Sequence, residues 1–186
     1  LVGSEMCIRD RSTVSNLSST RALRDVTESK GQTYSASAVG EVNVVNLMKQ
    51  TNAIIGGEGN GGVIYPELHY GRDALVGIAL FLSHLAHKKC TTSELRDSYP
   101  TYSISKNKIQ LTPDIDVDSV LQTMADRYQH EEVDTTDGVK IYIDKEWVHL
   151  RKSNTEPIIR IYSESENLKS ANLLAEHIKQ EIKQSI

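Results

Sequence analysis

The spacing of apolar residues changes from segment to segment along this chain, and the changes mark out its elements. Ala22, Leu23 and Val26 share one face of a helix expected from Arg21 to Lys30 and stopped by Gly31. A short strand follows at about 32–36. Val44, Val45, Leu47 and Met48 give a second one-sided helix over 41–50, entered from Gly40. Brief apolar strands at 53–55 and 63–65 bracket a run of glycines. From Ala74 through Leu85 apolar residues occur almost all round, so the helix expected from Asp73 to His87 is predicted to be buried on more than one side. Asp73 suits the positive end of its dipole. Thr91 or Thr92 then opens a short helical turn, with Glu94 in the capping-box position, ending near Tyr99-Pro100.

From Thr101 the pattern alternates, through 102–105 and 109–111, and reads as an extended crossing segment where the domain boundary falls. Asp116 or Asp118 caps a helix reaching about Tyr128, with Val120, Leu121, Met124 and Ala125 inward. Three short strands come next, at about 132–135, 139–143 and 147–150, the first two joined by the hairpin signal Asp137-Gly138. A strand over 158–163 precedes a helix over 168–184 with Leu173, Leu174, Ile178 and Ile182 inside. The predicted fold class is α/β: a partial mixed α/β domain over 12–100, a linker over 101–112, and a small α+β domain over 113–186 whose antiparallel sheet is covered by two helices.

Composition narrows the partners. Apolar residues make up 38% and charged residues 25% of the 186, as in ordinary globular proteins. A net charge of −4 with no broad basic stripe argues against a nucleic-acid partner. The apolar stretch from Ala74 to Ala86 is too short to span a bilayer, which argues against a membrane one. Cys7 and Cys90 lack metal-type spacing, so a reducing, cytoplasmic setting is expected. His69, His84 and His87 are expected to be structural or solvated, and no metal ligands are assigned. Residues 1–11 show neither a signal-peptide core nor a period and resemble a translated sequencing-adaptor read. They are set aside, and the natural chain is expected to extend upstream of Ser12.

Chemistry concentrates in two loops. Arg151-Lys152-Ser153-Asn154-Thr155-Glu156-Pro157 precedes the apolar run Ile158-Ile159-Arg160-Ile161-Tyr162. Guanidinium groups bind phosphate in bidentate, charge-assisted fashion and the hydroxyls add donors, so the stretch suits a phosphate clamp. From the residues alone an Arg-rich β-turn with Glu156 pairing an arginine stands beside it. In the other loop Gly57, Gly59 and Gly62 formally match Gly-x-Gly-x-x-Gly, but a strand and Pro66 follow where a dinucleotide site requires a helix. A strand–loop–strand instead brings Glu58 and Asn60 into a cleft close to backbone, and a carboxylate with an amide suits vicinal sugar hydroxyls. A flexible glycine hairpin with a solvated Glu58 is the alternative.

Together the wording Gly-Gly-Glu-Gly-Asn-Gly-Gly and the Arg-Lys-Ser-Asn-Thr-Glu-Pro loop resemble the α-D-phosphohexomutases, most of all the phosphoglucosamine mutases and their phosphomannomutase and phosphoglucomutase relatives. The resemblance covers most of Ser12 to Ile186 and implies the end of a third, sugar-binding domain followed by a fourth, phosphate-binding one. It implies sugar contacts from Glu58 and Asn60, with departures at Asn60 and Gly62, where many members carry Ser and His. It implies phosphate contacts from Arg151, Ser153, Asn154, Thr155 and Arg160. A phosphoserine loop and an aspartate-rich Mg²⁺ loop belong to the family's first two domains, and neither occurs here. The resemblance therefore implies no catalytic residue in this chain, a phosphorylated hexose as substrate, Mg²⁺ and a hexose 1,6-bisphosphate as cofactors, and missing N-terminal domains as partners. A non-catalytic phosphosugar-binding or anion-binding module, and a structural domain with exposed apolar surface, are the competing classes.

Overall fold

The computed structural model describes residues 12–112, 115–153, 156 and 158–185. Contacts divide the chain into two units, with the boundary between Thr101 and Tyr102.

In the first unit, strand β1 (Thr13–Asn16), helix α1 (Ala22–Ser29), β2 (Tyr34–Ser37), helix α2 (Glu41–Thr51), β3 (Ile55–Gly57), β4 (Val63–Tyr65) and β5 (His69–Arg72) build one mixed sheet in the order β2-β1-β3-β4-β5. β1 runs parallel to β2 and to β3, while β4 and β5 return as antiparallel hairpins. Val14, Val44, Met48, Ala53 and Ile64 form the apolar centre, which places one face of α2 on the sheet. α1 buries Leu23 and Thr27, and Thr27 is satisfied internally. Its hydroxyl donates to Leu23 O at 2.7 Å and accepts from Thr13 Oγ1 at 2.8 Å.

Helix α3 (Ala74–Lys88) corrects one expectation. Asp73, expected at the positive end of its dipole, is also its N-cap, accepting from Val76 N at 3.0 Å. Its sides are not buried all round: His84 is its only buried residue, and Leu75, Ile78 and Leu82 are 78%, 54% and 55% exposed. The helix meets β4 through its narrow side, where Gly77 faces Val63, so the bulky residues point away. The short helix α4 (Thr92–Asp97) has the full capping box of Thr91 and Glu94.

The second unit is an antiparallel sheet in the order β6-β10-β9-β8-β7, from β6 (Ser103–Gln110), β7 (Glu132–Asp134), β8 (Val139–Ile143), β9 (Glu146–Lys152) and β10 (Ile158–Ser165). Residues 103–110, expected within a linker, instead pair with β10 over its whole length. Their alternation is that of a strand, with Ile109 in the core. Helices α5 (Val117–Arg127) and α6 (Leu168–Gln184) cover one face of the sheet. α5 buries the four residues predicted and is capped by Asp116. α6 buries Ile178 and Ile182 as expected, with Leu174 packed against the core, but its other buried residues are Ala171 and Ala175, while Leu173 is 62% exposed. Two alanines let the helix lie close on β10, where Ser163 Oγ donates to Ala171 O at 2.7 Å. A leucine on that side would hold it off.

No helix among the described residues is long and apolar enough to cross a membrane.

Candidate functional site

In the first unit the chain leaves β1 toward β2 on one side and leaves β3 toward β4 on the other. Where neighbouring parallel strands send their connections apart, a crevice opens at their C-terminal ends. Asn16 ends β1 and Glu58 directly follows β3, so the topology sets both at that crevice.

The loop after β3 is tight: Glu58 N donates to Gly62 O at 3.1 Å, Gly61 N to Glu58 O at 3.2 Å, and Gly62 N to Asn60 Oδ1 at 3.2 Å. Glu58 is only 7% exposed. A carboxylate removed from water needs donors, and it has them on both oxygens. Oε1 accepts from Asn16 Nδ2 at 3.0 Å. Oε2 accepts from Arg72 Nη1 at 3.3 Å and Asn60 Nδ2 at 3.5 Å. Asn16 is itself fixed by Ser19 Oγ, which donates to its Oδ1 at 2.9 Å. Arg72 is held from behind, its Nε donating to Glu41 Oε2 at 2.9 Å and its backbone N to Glu41 Oε1 at 3.1 Å. The backbone N–H of Arg72, then its guanidinium, hold the Glu41 carboxyl below the usual range. Gly62 matters for space, since a Cβ there would stand 2.4 Å from Arg72 Cδ. Glu58 and Asn60, both read from the sequence, are thus brought together; Asn16, Ser19, Glu41 and Arg72 were missed as members of this site.

In the second unit Arg151 on β9 pairs with Arg160 on β10, and Arg160 pairs with Lys108 on β6. Directly opposed residues share a sheet face. The three cations therefore form a row, on the face opposite the core residues Leu150, Ile159 and Ile109. Opposed like charges destabilise a sheet unless an anion joins them. One carboxylate does: Asp137 Oδ2 lies 2.9 Å from Arg151 Nε. The Nε–H is not aimed at that oxygen, so the contact is an ion pair without a hydrogen bond. Asp137 is placed by its turn, and His149 Nε2 donates to its carbonyl at 2.7 Å. Burial holds the His149 pKa down to about 4, so it is the neutral ring that donates. Asp137, His149 and Lys108 were not singled out from the sequence, except for Asp137 as a turn residue.

Lys152 points to the helix-covered side, where its Nζ lies 2.6 Å from Asp118 Oδ2 and that contact raises its pKa. Ser153 is buried and its N donates to Ile158 O at 3.1 Å, closing the base of the loop. Asn154 and Thr155 lie outside the described residues. Glu156 does not take the arginine that the β-turn reading gave it; among the described residues Arg151 pairs with Asp137. No group of three His, Cys, Asp or Glu among the described residues could hold a metal ion.

Two family models match consecutive stretches. "Phosphoglucomutase/phosphomannomutase, alpha/beta/alpha domain III" matches residues 2–102 and "Phosphoglucomutase/phosphomannomutase, C-terminal domain" matches 108–181. The chain belongs to the phosphoglucomutase/phosphomannomutase family. The first match begins inside the eleven residues that sequence analysis set aside. A "Phosphoglucosamine/phosphogalactosamine mutase" of Sulfurisphaera tokodaii is 38% identical over 143 residues, covering 76% of this chain and 31% of the relative. A "Phosphoglucomutase/phosphomannomutase" of Thermococcus kodakarensis is 35% identical over 159 residues, covering 85% and 35%. The chain thus spans about a third of the length of these phosphohexomutases. Among solved structures, a phosphoglucomutase/phosphomannomutase family protein from Burkholderia thailandensis shares the fold with a TM-score of 0.79, at 20% identity, over 98% of this chain and 41% of that one. A phosphomannomutase structure from Thermus thermophilus gives 0.72, at 23% identity, over 98% and 40%.

Proposed function

We propose that this chain is the sugar-binding and phosphate-binding portion of a phosphohexomutase that interconverts a hexose 6-phosphate and a hexose 1-phosphate, with glucosamine phosphate as the preferred hexose. The observation that carries the reading is the pairing of a donor-braced acidic loop with a row of cations, one in each of two successive family domains. Phosphoglucosamine mutases recur among the relatives that match. Phosphoglucomutase/phosphomannomutase activity is the alternative that the Thermococcus kodakarensis relative favours.

Each group has a task in this scheme. Glu58 accepts hydrogen bonds from sugar hydroxyls with the lone pairs its braces leave open, and Asn60 adds an amide beside it. Arg151 and Arg160 hold the phosphate that is not being transferred, with Ser153, Asn154 and Thr155 completing the loop. That remote contact supplies binding energy away from the reacting centre and fixes the sugar's orientation. Turning the sugar over presents first one end and then the other. The Mg²⁺ that the reading implies, the phosphoserine and the hexose 1,6-bisphosphate intermediate fall to the part of the enzyme outside this chain, and this chain by itself is inactive. A cytoplasmic enzyme is proposed on the same grounds.

The test uses the complete enzyme and a panel of glucosamine, glucose and mannose 6-phosphates. Arg151→Ala is expected to raise KM by about 10- to 100-fold, as the loss of one charge-assisted contact predicts, with glucosamine 6-phosphate giving the highest kcat/KM. Unchanged KM and kcat in Arg151→Ala would remove the phosphate clamp from the mechanism.

A further inference from the structure

We propose that Arg72, clamped by Glu41, is the positioning and specificity-determining residue of the sugar loop. The inference rests on the phosphohexomutase reading and deepens it. Glu58 opens a five-residue loop rich in glycine, and such a loop leaves a carboxylate many positions. Three donors reduce them. Asn16 comes from the end of β1 and Asn60 from the loop itself; Arg72 alone reaches Glu58 from β5, on the far side of the hairpin.

Arg72 can do so only because it is anchored twice on Glu41, through Nε and through its own backbone N–H. Glu41 opens α2, 31 residues away in sequence, so helix, hairpin and loop are tied by one side chain. Its stem lies over Gly62, where any side chain would collide with it. Gly62 and Arg72 are therefore complementary: the loop gives up a side chain and the strand returns a guanidinium to the same place. Arg72 is 45% exposed at its side chain, and its Nη2 has no hydrogen-bond partner among the described residues. A guanidinium so placed gives a sugar hydroxyl a donor beside the Glu58 acceptor, and a donor–acceptor pair fixes which hydroxyl configuration fits.

The measurement is steady-state kinetics of the complete enzyme on glucosamine 6-phosphate, with Glu58→Gln, Arg72→Ala, Arg72→Lys, Glu41→Gln and the Glu58→Gln/Arg72→Ala double variant. Arg72→Ala is expected to lose about 10- to 100-fold in kcat/KM, the range over which a misplaced contact acts, with the larger share in KM. Arg72→Lys, which reaches one carboxylate but not both, recovers part of that loss. Glu41→Gln moves KM the same way, and the double variant is no worse than Glu58→Gln. Should Arg72→Ala fail to fold, Arg72→Lys and Glu41→Gln keep the stem over Gly62 and give the same reading. Arg72→Ala within twofold of wild type while Glu58→Gln is crippled, or losses that multiply in the double variant, overturn the positioning role alone. An unaffected Glu58→Gln withdraws the sugar-loop reading together with it.

Discussion

Lowering the pH from 7 to 5 is expected to destabilise the second unit through one buried ring. His149 is 1% exposed on β9. Burial, with the nearby charges of Lys140 and Arg151, holds its pKa down to about 4 against 6.5, although the Asp137 carbonyl pulls the other way. Between those two values the unfolded chain takes up a proton that the folded chain refuses. Stability therefore rises with pH in this window and is lost as pH falls through it. The two-pKa relation gives a loss of about 2 kcal/mol between pH 7 and pH 5. With a urea slope of about 2 kcal/mol per molar, the midpoint should fall by about 1 M.

The assay is urea unfolding followed by the fluorescence of Trp147. It is the chain's single tryptophan, fully buried in the same sheet, so it reports this unit alone. The chain has five other histidines, and comparison with His149→Gln isolates the share that belongs to this ring. The variant is expected to be less stable at pH 7 yet to lose less on acidification. An equal drop in both proteins would refute the reasoning, because the proton uptake would then belong elsewhere.

Gly138→Ala should cost the second unit at least about 2 kcal/mol: Gly138 has φ +77°, where a Cβ costs about 1–2 kcal/mol, and that Cβ would meet Leu150 O at 2.1 Å. A change under about 1 kcal/mol by the same fluorescence assay would show that the turn gives way freely. Leu75→Ser with Leu82→Ser should leave the thermal midpoint of the chain nearly unchanged, within about 0.5 kcal/mol for exposed sites, and should reduce concentration-dependent association measured by sedimentation. A large drop in that midpoint would mean that the α3 face is packed after all.

Local signals proved readable from the sequence. The Thr91–Glu94 capping box, the Asp116 cap and the Asp137-Gly138 hairpin each involve residues within a few positions, where one side chain decides the geometry. Facing was harder. Periodicity finds an apolar stripe but not the neighbour it meets, which is why α3 turned Gly77 rather than its leucines to the sheet and α6 turned its alanines to β10. The candidate site divides the same way. Glu58 and Asn60 stand out because glycines surround them. The braces do not: Asn16 lies 42 residues from Glu58, and Glu41 lies 31 from Arg72. Nothing in a local window couples them; only the strand order brings them together.

The two loops handle charge in opposite ways, and the difference matches what each is proposed to hold. Glu58 is compensated before any ligand arrives, by Arg72 and two amides, so a neutral hydroxyl can approach without meeting a bare buried charge. The cationic row is left uncompensated. Arg151, Arg160 and Lys108 bring three positive charges, and Asp137 answers one of them, so among the described residues that row keeps an excess of two. A phosphate monoester carries about −1.5 to −2 near pH 7, which is the charge such a row lacks. The chain as a whole is negative, at −4, so this excess is local and repulsion elsewhere discourages anions from settling at random. Asp137 then has a second effect: an incoming phosphate must compete with it for Arg151. On the proposed reading, phosphate binding exchanges one ion pair for another, which keeps affinity moderate.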